Sequence, residues 1–269
     1  MSIVIASKKL SKAARKSIIE MVFLGKSSHV ASSLSVVDAL SVIYSGSFNI
    51  NPENFSDASR DRIIVSKGHA AAAYYSVLAH AGFFSKEILK TFSQDGSLIG
   101  GHVTSGKVPG VEFSSGSLGH GMPYGVGLAM GIKKNGIDAN VCVVMSDGEC
   151  DEGTTWESAL LASHWKLNNL TIVIDRNGLQ SLTTTEETLA LEPLADKWRA
   201  FGWEVICING NSHNELTKAF GIRSNNPKCI IANTIKGFGV NFMHNSVVWH
   251  YRTPSSEEVS KALEEIEKM

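Results

Sequence analysis

Val141-Cys142-Val143-Val144-Met145-Ser146-Asp147-Gly148 and Leu170-Thr171-Ile172-Val173-Ile174-Asp175-Arg176-Asn177-Gly178-Leu179 decide how this chain is read, with Asn177 thirty positions after Asp147. Each stretch is a short apolar run closed by polar residues and glycine, the pattern of a buried strand and the turn leaving it. An acid ending one strand and an amide ending its neighbour meet at one sheet edge, where ligands of open α/β sheets sit. Such an edge suits a hard cation. Mg2+ takes oxygen ligands, usually one or two protein side chains, and fills the rest of its octahedron with water and phosphate oxygens. Asp147 and Asn177 would supply the side-chain oxygens and Leu179 its backbone carbonyl. Gly148 lets the main chain approach a phosphate, and the segment from Gly153 onward reads as a helix whose N-terminus favours anions. Taken alone, Asp-Gly after a strand is more often a simple turn.

Outward from these runs, apolar spacing at three and four predicts helices over Leu10–Leu24, ending near Gly25, and Leu34–Tyr44. A short strand around Ile63–Val65 and a helix over Ala70–Ala81 follow. Ser93–Ser117 is rich in Gly and Ser without periodicity, and a long irregular stretch in a compact domain is usually mobile or functional. It is expected to line the site. Next come helix Met122–Lys134, strand Val141–Met145, helix Thr154–Lys166, strand Leu170–Ile174, helix Leu194–Phe201, strand Glu204–Ile208, helix Asn214–Gly221 and strand Lys228–Ala232. This alternation implies parallel βαβ units with right-handed crossovers: a doubly wound parallel α/β sheet with helices on both faces, in a single domain over 1–269. The tail from about 255 to 269 reads as a charged amphipathic helix with Ser255 or Ser256 as N-cap.

The 269 residues, 43% hydrophobic and 19% charged, can bury a full core. A formal net charge of −1 gives no electrostatic ground for a nucleic acid or anionic membrane partner. Cys142, Cys150, Cys207 and Cys229 have no CxxC spacing, which argues against structural zinc or a disulfide framework. The apolar patch near the N-terminus precedes its basic residues, the reverse of a secretory signal, and no run approaches the ~18 apolar residues of a membrane span. A cytoplasmic location is expected.

In order along the chain, the motifs resemble the N-terminal half of a transketolase, the domain that holds the diphosphate of thiamine diphosphate. Asp147-Gly148 with Asn177 resembles the family's cofactor motif, although Ser146 stands where the family usually has Gly. Asp61-Arg62-Ile63-Ile64-Val65-Ser66-Lys67-Gly68-His69-Ala70 resembles the segment bearing a cofactor-contacting histidine, here His69. Ser115-Gly116-Ser117-Leu118-Gly119-His120-Gly121 resembles the glycine-rich loop beside the diphosphate, implying cofactor contacts from Gly116, Ser117 and Leu118. Thr234-Ile235-Lys236-Gly237-Phe238-Gly239-Val240 with Trp249-His250 resembles the segment that closes over the site. The agreement runs from about Ser27 to Pro254.

Of the nine histidines, the resemblance singles out His29 on the substrate side, His69 near the diphosphate, His102 beside the reactive carbon and His250 at the closing loop. The alternative for each is an exposed loop imidazole. His120, where the family usually carries Gln, would open a helix and could cap its donors. Glu152 matches a glutamate of a carboxylate network that joins two cofactor sites across a dimer interface; alternatively Glu149, Asp151 and Glu152 form an acidic first helical turn. Lys67 and Lys236 could pair with phosphate, but a lysine in a loop is most often solvated, and that is the expectation for both. Trp156, Trp165, Trp198 and Trp203 are expected to be packing anchors.

The resemblance implies thiamine diphosphate with Mg2+, or Ca2+ or Mn2+ in its place, and transfer of a two-carbon ketol unit from a ketose to an aldose in carbohydrate metabolism. The catalytic residues it implies are His29, His102 and His250. The cofactor residues are His69, Gly116, Ser117, Leu118, Asp147, Gly148, Glu152 and Asn177, with Asp147, Asn177 and Leu179 on the metal. In the family, the pyrimidine ring of the cofactor is activated by a glutamate from a further domain. A separate C-terminal transketolase subunit carrying that domain is therefore expected as partner, in a heterotetramer. Two alternatives stand beside this reading: the α subunit of a 2-oxo-acid dehydrogenase, and a non-catalytic cofactor-binding or scaffold domain.

Overall fold

A computed structural model of the protein describes residues 2–269; Met1, where the expected domain begins, lies outside them. The five expected strands form one parallel sheet: β1 (Arg62–Val65), β2 (Val141–Ser146), β3 (Leu170–Arg176), β4 (Glu204–Asn209) and β5 (Lys228–Asn233), in spatial order β1-β2-β3-β5-β4. The helices are α1 (Ile3–Leu24), α2 (Val30–Val42), α3 (Ala71–His80), α4 (Gly121–Lys134), α5 (Gly153–His164), the single turn α6 (Thr185–Thr188), α7 (Leu194–Ala200), α8 (His213–Gly221) and α9 (Ser256–Glu267).

Alternation along the strands divides the core into two layers, as a two-residue side-chain period requires. Cys142, Val144, Val173, Ile230 and Ala232 point to α1, α2, α3, α8 and α9. Val143, Met145, Ile172, Ile174 and Ile231 point to α4, α5 and α7. Every residue of β2 is buried, and so is every residue of β3 except Arg176 at its end. That explains why these strands read as continuous apolar runs.

Helix α1 starts at Ile3, seven residues before the expected Leu10, because the Ser2 side chain caps it by accepting from the Ile5 N–H at 3.4 Å. Helix α2 starts four residues before the expected Leu34, directly after His29, and all of Val30–Val42 is buried. A helix buried on every side has no polar face to give it an amphipathic signature. The same burial corrects the expectation that no segment is apolar enough to span a membrane. Val30–Ser47 passes that test by length and composition, yet 83% of it is buried inside the protein, as a core helix is. At the tail, Ser255 and Glu258 form a reciprocal capping box, and Ala262 and Ile266 of α9 join the core beside α1. Trp198 and Trp203 are buried anchors, whereas Trp165, at the end of α5, is 54% exposed, against expectation.

One polar cluster interrupts the α1–α2 layer. Asp38 of α2 accepts Arg15 Nη1 and Nη2 at 2.8 and 2.6 Å, Asn211 Nδ2 at 3.0 Å and His213 Nε2 at 3.1 Å. Burial alone would raise the Asp38 carboxyl, but Arg15 and His213 hold it well below the usual carboxylate range. Arg15 also donates through Nε to the Phe238 carbonyl at 3.2 Å, tying α1 to the loop after β5. Removing one partner of a buried pair leaves an uncompensated charge. Asp38→Ala should therefore cost ~3–5 kcal/mol in denaturant unfolding, far more than an exposed pair such as Lys90–Glu87 would lose.

Candidate active site

The β2–β3 register sets Ser146 opposite Asp175, so the two strands end together and the residues just after them share one edge. Asp147 accepts the Gly148 N–H at 2.9 Å and the Gly178 N–H at 2.7 Å, which ties the two strand exits to each other. Asn177 Oδ1 accepts the Leu179 N–H at 3.1 Å and its Nδ2 donates to Asp175 at 3.3 Å. Asp147 is 2% exposed. Burial and the neighbouring Asp175 push its carboxyl up, opposed by the Gly178 N–H, Lys67 and Arg176. Beneath it, Lys67 pairs with Asp175, which also accepts from Ser35 at 2.6 Å and from Thr234.

These exits open into a cavity of about 330 Å3 that Asp147, Gly148, Asn177 and Leu179 line together with His29, His69, His102 and His250. Ring centroids of His29 lie 5.3 Å from His69, 6.0 Å from His102 and 4.8 Å from His250, so segments far apart in sequence deliver one imidazole cluster. The His29 N–H donates to the His250 carbonyl at 2.8 Å, fastening the closing segment to the start of α2. His29 sits in the left-handed region at φ 68°. Burial, with His102, Lys236 and Lys67 nearby, lowers its pKa from 6.5 to about 4. Burial and Lys236 lower His250 to about 3, and burial with Lys67 holds His69 well below its ordinary value. These three rings are neutral at physiological pH and offer a donor and an acceptor each.

The glycine-rich stretch 115–121 forms the remaining wall. Gly116 and Leu118 line the cavity, and Ser117 between them is exposed. The loop is pinned from below by Glu149, fully buried, which accepts from Ser66, from the Gly119 N–H at 2.9 Å and from the Ser146 N–H at 3.3 Å. Gly68 is required at this junction, since a Cβ there would meet the Ser115 carbonyl oxygen at 2.5 Å. Two buried polar atoms of residues that line the cavity, His29 Nδ1 and Ser146 Oγ, have no hydrogen-bond partner in the protein. Orphaned polar atoms beside an all-oxygen set from Asp147, Asn177 and Leu179 fit a metal-bound diphosphate, because both kinds of group are satisfied by phosphate oxygens and a hard cation.

Several expectations change. Lys67 and Lys236 are not solvated but 0% and 1% exposed. The Lys236 ammonium donates to the carbonyls of Leu179 at 2.9 Å and Gln180 at 3.2 Å and lies 3.1 Å from His250 Nδ1. Burial and Lys67 lower its pKa from 10.5 to about 8. The sheet-edge rule that selects Asp147 and Asn177 also selects both lysines, which follow β1 and β5. Ser32, Gln180, Ser181 and Tyr251 complete the lining and carried no signal in sequence. Glu149 and Asp151 form the acidic first turn of a short 3-10 helix over Gly148–Asp151 rather than of α5, and Glu152 stands as the N-cap of α5, which begins at Gly153. Glu152 is exposed and outside the cavity lining. His120 makes no capping bond; its Nδ1 lies 2.9 Å from the Leu118 carbonyl. A larger depression of about 670 Å3 lies at the opposite, amino-terminal end of the sheet. Its Lys228 is already engaged by the Ala219, Phe220 and Ile222 carbonyls, and ligands of open sheets bind at the carboxyl ends.

A parallel sheet whose central strand exits meet a glycine-rich loop and an imidazole cluster defines a diphosphate-binding α/β domain. A family model described as the transketolase, thiamine diphosphate binding domain matches residues 6–266. The chain is 38% identical over 255 residues, 94% of its length and 90% of the relative's, to one subunit of the apulose-4-phosphate transketolase of Phocaeicola vulgatus. It is 35% identical over 243 residues, 89% of its length and 88% of the relative's, to the 6-deoxy-6-sulfo-D-fructose transketolase subunit SqwG of a Clostridium species. The solved transketolase of Campylobacter jejuni superposes with a TM-score of 0.89 at 30% identity, over 99% of this chain and 43% of that one. The chain belongs to the transketolase family, as its thiamine diphosphate-binding domain.

The lowered histidine pKa values carry a sign for stability. An unfolded chain protonates these rings below about 6.5, while the folded chain keeps His29 neutral down to about 4. The stability so contributed is full above pH 6.5 and is lost as pH falls towards 4. The melting temperature should drop across that window, and His29→Asn should flatten the drop by about 2–4 °C, taking ~1 kcal/mol after solvent screening. Identical pH slopes for the two proteins would refute the assignment.

Proposed function

We propose that this chain is the diphosphate- and metal-holding subunit of a two-chain, cytoplasmic transketolase, working in a heterotetramer with a separate subunit that carries the pyrimidine-binding domain. The observation that carries the reading is the shared cavity of Asp147, Asn177 and Leu179 with four histidines at the carboxyl ends of β2 and β3. Asp147, Asn177 and the Leu179 carbonyl would hold Mg2+. His69, Gly116, Ser117, Leu118 and Gly148 would hold the diphosphate, and the unpartnered Ser146 hydroxyl is one more donor for it. Bound there, thiamine diphosphate supplies the carbanion chemistry of ketol transfer.

This chain's own part is orientation and hydrogen bonding. His29, His102 and His250 face the space beside the cofactor site and would bond the sugar hydroxyls and the developing oxyanion. His29 and His250, held neutral, keep donors there without adding positive charge. Lys236, donating to His250 Nδ1, would leave Nε2–H of that ring as the donor. Among the described residues no lysine or arginine lines the cavity. The terminal anion of a substrate such as a ketose phosphate would therefore be gripped by the partner. The Phocaeicola relative, matched over 90% of its length, is named as one subunit of its transketolase, which supports a two-chain enzyme. So do the exposed apolar side chains around the cavity mouth, Leu182 at 81% and Tyr251 at 59%, and those on and just after α5, Leu160 at 63% and Trp165 at 54%. A partner seated there would cover these groups and meet Glu152, in an interface of ~2,000 Å2 or more.

Asp147→Ala should abolish Mg2+-dependent binding of thiamine diphosphate in calorimetry. Ketol transfer should appear only when both chains are mixed. Turnover by this chain alone would sink the two-chain reading, and undiminished cofactor binding by the variant would sink the site.

A further inference from the structure

Arg176 ends β3 between Asp175 and Asn177 and lies outside the cavity lining. Its Nη1 donates to Asp147 Oδ2 at 3.3 Å and to Thr185 Oγ1 at 2.6 Å; its Nη2 donates to Glu186 Oε1 at 2.9 Å and Glu192 Oε1 at 3.1 Å. Both glutamates in turn hold backbone. Glu186 accepts the N–H groups of Leu191 and Glu192 at 3.3 Å each, and Glu192 accepts that of Leu194 at 2.8 Å. One guanidinium thus ties the far leg of the 177–192 loop to Asp147, while the near leg carries Asn177 and Leu179. The two legs meet through a Leu179–Thr184 bridge and the Gln180 N–H to Thr183 carbonyl bond at 2.8 Å. Its outer part has little apolar burial, with Leu182 81% and Leu189 58% exposed, whereas Leu191 near its end is buried in the core beside α7. Segments of that kind sit at the low-stability end of a fold.

We propose that Arg176 is a positioning residue that holds the 177–192 loop in its ligand-binding shape before metal and cofactor arrive. The proposal rests on the reading of Asp147, Asn177 and Leu179 as metal ligands. The Arg176 side chain is 11% exposed and its partners Glu186 and Glu192 are 41% and 58% exposed, so the anchor is buried at the Asp147 end and reaches outward to the loop. Those two carboxylates together outweigh its charge, so the guanidinium does not confront an incoming cation as an unscreened positive group. The physical effect is on populations. A ligand that binds only the ordered loop has its apparent Kd raised by the inverse of the ordered fraction.

The test compares the chain with Arg176→Ala and with the double variant Glu186→Gln/Glu192→Gln, whose substitutions remove charge at exposed positions while keeping an acceptor oxygen for the backbone contacts. Subtilisin cleavage between residues 180 and 191 is timed without metal, since cleavage follows the open population when opening is fast. Thiamine diphosphate is then titrated by calorimetry at saturating Mg2+, with the melting temperature as the control for global damage. Arg176→Ala should be cut faster in this loop, bind roughly ten-fold more weakly if the ordered fraction falls to about a tenth, and regain wild-type protection once Mg2+ and thiamine diphosphate are saturating. The double variant should move in the same direction by about three-fold. Unchanged loop cleavage in both variants, a lowered melting temperature without loop-specific cleavage, or tighter cofactor binding by Arg176→Ala overturns the proposal. Should the wild-type chain bind no thiamine diphosphate with Mg2+, the metal-site reading falls instead, and the cleavage comparison, which needs no ligand, still decides whether Arg176 orders the loop.

Discussion

The pairing of β2 with β3 is the constraint on which the rest of the molecule depends. With Ser146 opposite Asp175, both chains leave the sheet at the same height, and the Gly178 N–H reaches Asp147 at 2.7 Å. A slip of one residue would turn every side chain of one strand to the other layer, exchanging Val144 with Val143 and Val173 with Ile172 between the two cores. The register is therefore enforced by the whole buried sheet rather than by the site. Its consequence is local: a carboxylate and an amide stand at neighbouring strand exits.

A buried polar floor keeps those exits in place. Lys67 after β1, Asp175 on β3 and Thr234 after β5 join three strands beneath the cavity, and Glu149 joins Ser66, the glycine-rich loop and the end of β2. Buried charges of this kind are weak contributors to net stability against a well-packed apolar alternative, but each half is costly without the other. Their value here is directional. Hydrogen bonds fix where backbone N–H groups and carbonyls point, which apolar contacts do not.

The fold was legible because parallel strands covered on both faces are written as unbroken apolar runs. Val141–Met145 and Leu170–Ile174 name their own strands, and Gly25 and the Ser255–Glu258 cap mark helix ends by local chemistry. Helix α2 was misplaced by four residues because total burial removes the polar stripe that marks a helix start. Asp147, Asn177 and the histidines His29, His69, His102 and His250 were legible through motif order, and the structure brings them to one cavity. Lys67, Lys236, Glu149 and Arg176 were not. A lysine in a loop reads as solvated, and only the three-dimensional neighbourhood, Asp175 for one and the Leu179 and Gln180 carbonyls for the other, reveals it as buried and engaged.

The cavity joins a polar, partly unsatisfied lining to apolar groups in solvent, so its physical problem is how hydrogen-bonding groups are kept from water. The lowered pKa values of His29, His69 and His250 depend on their removal from water, yet Tyr251, one wall of the same cavity, and Leu182, just beyond it, stand largely in solvent. An apolar rim around a polar, partly unsatisfied interior is the surface a second protein stabilises by covering it. Covering it would also lower the local dielectric and strengthen each hydrogen bond made by the groups beneath. The sheet edge can preorganise oxygen and nitrogen donors by itself, but the exclusion of water that makes those donors effective must come from the other side of the cleft.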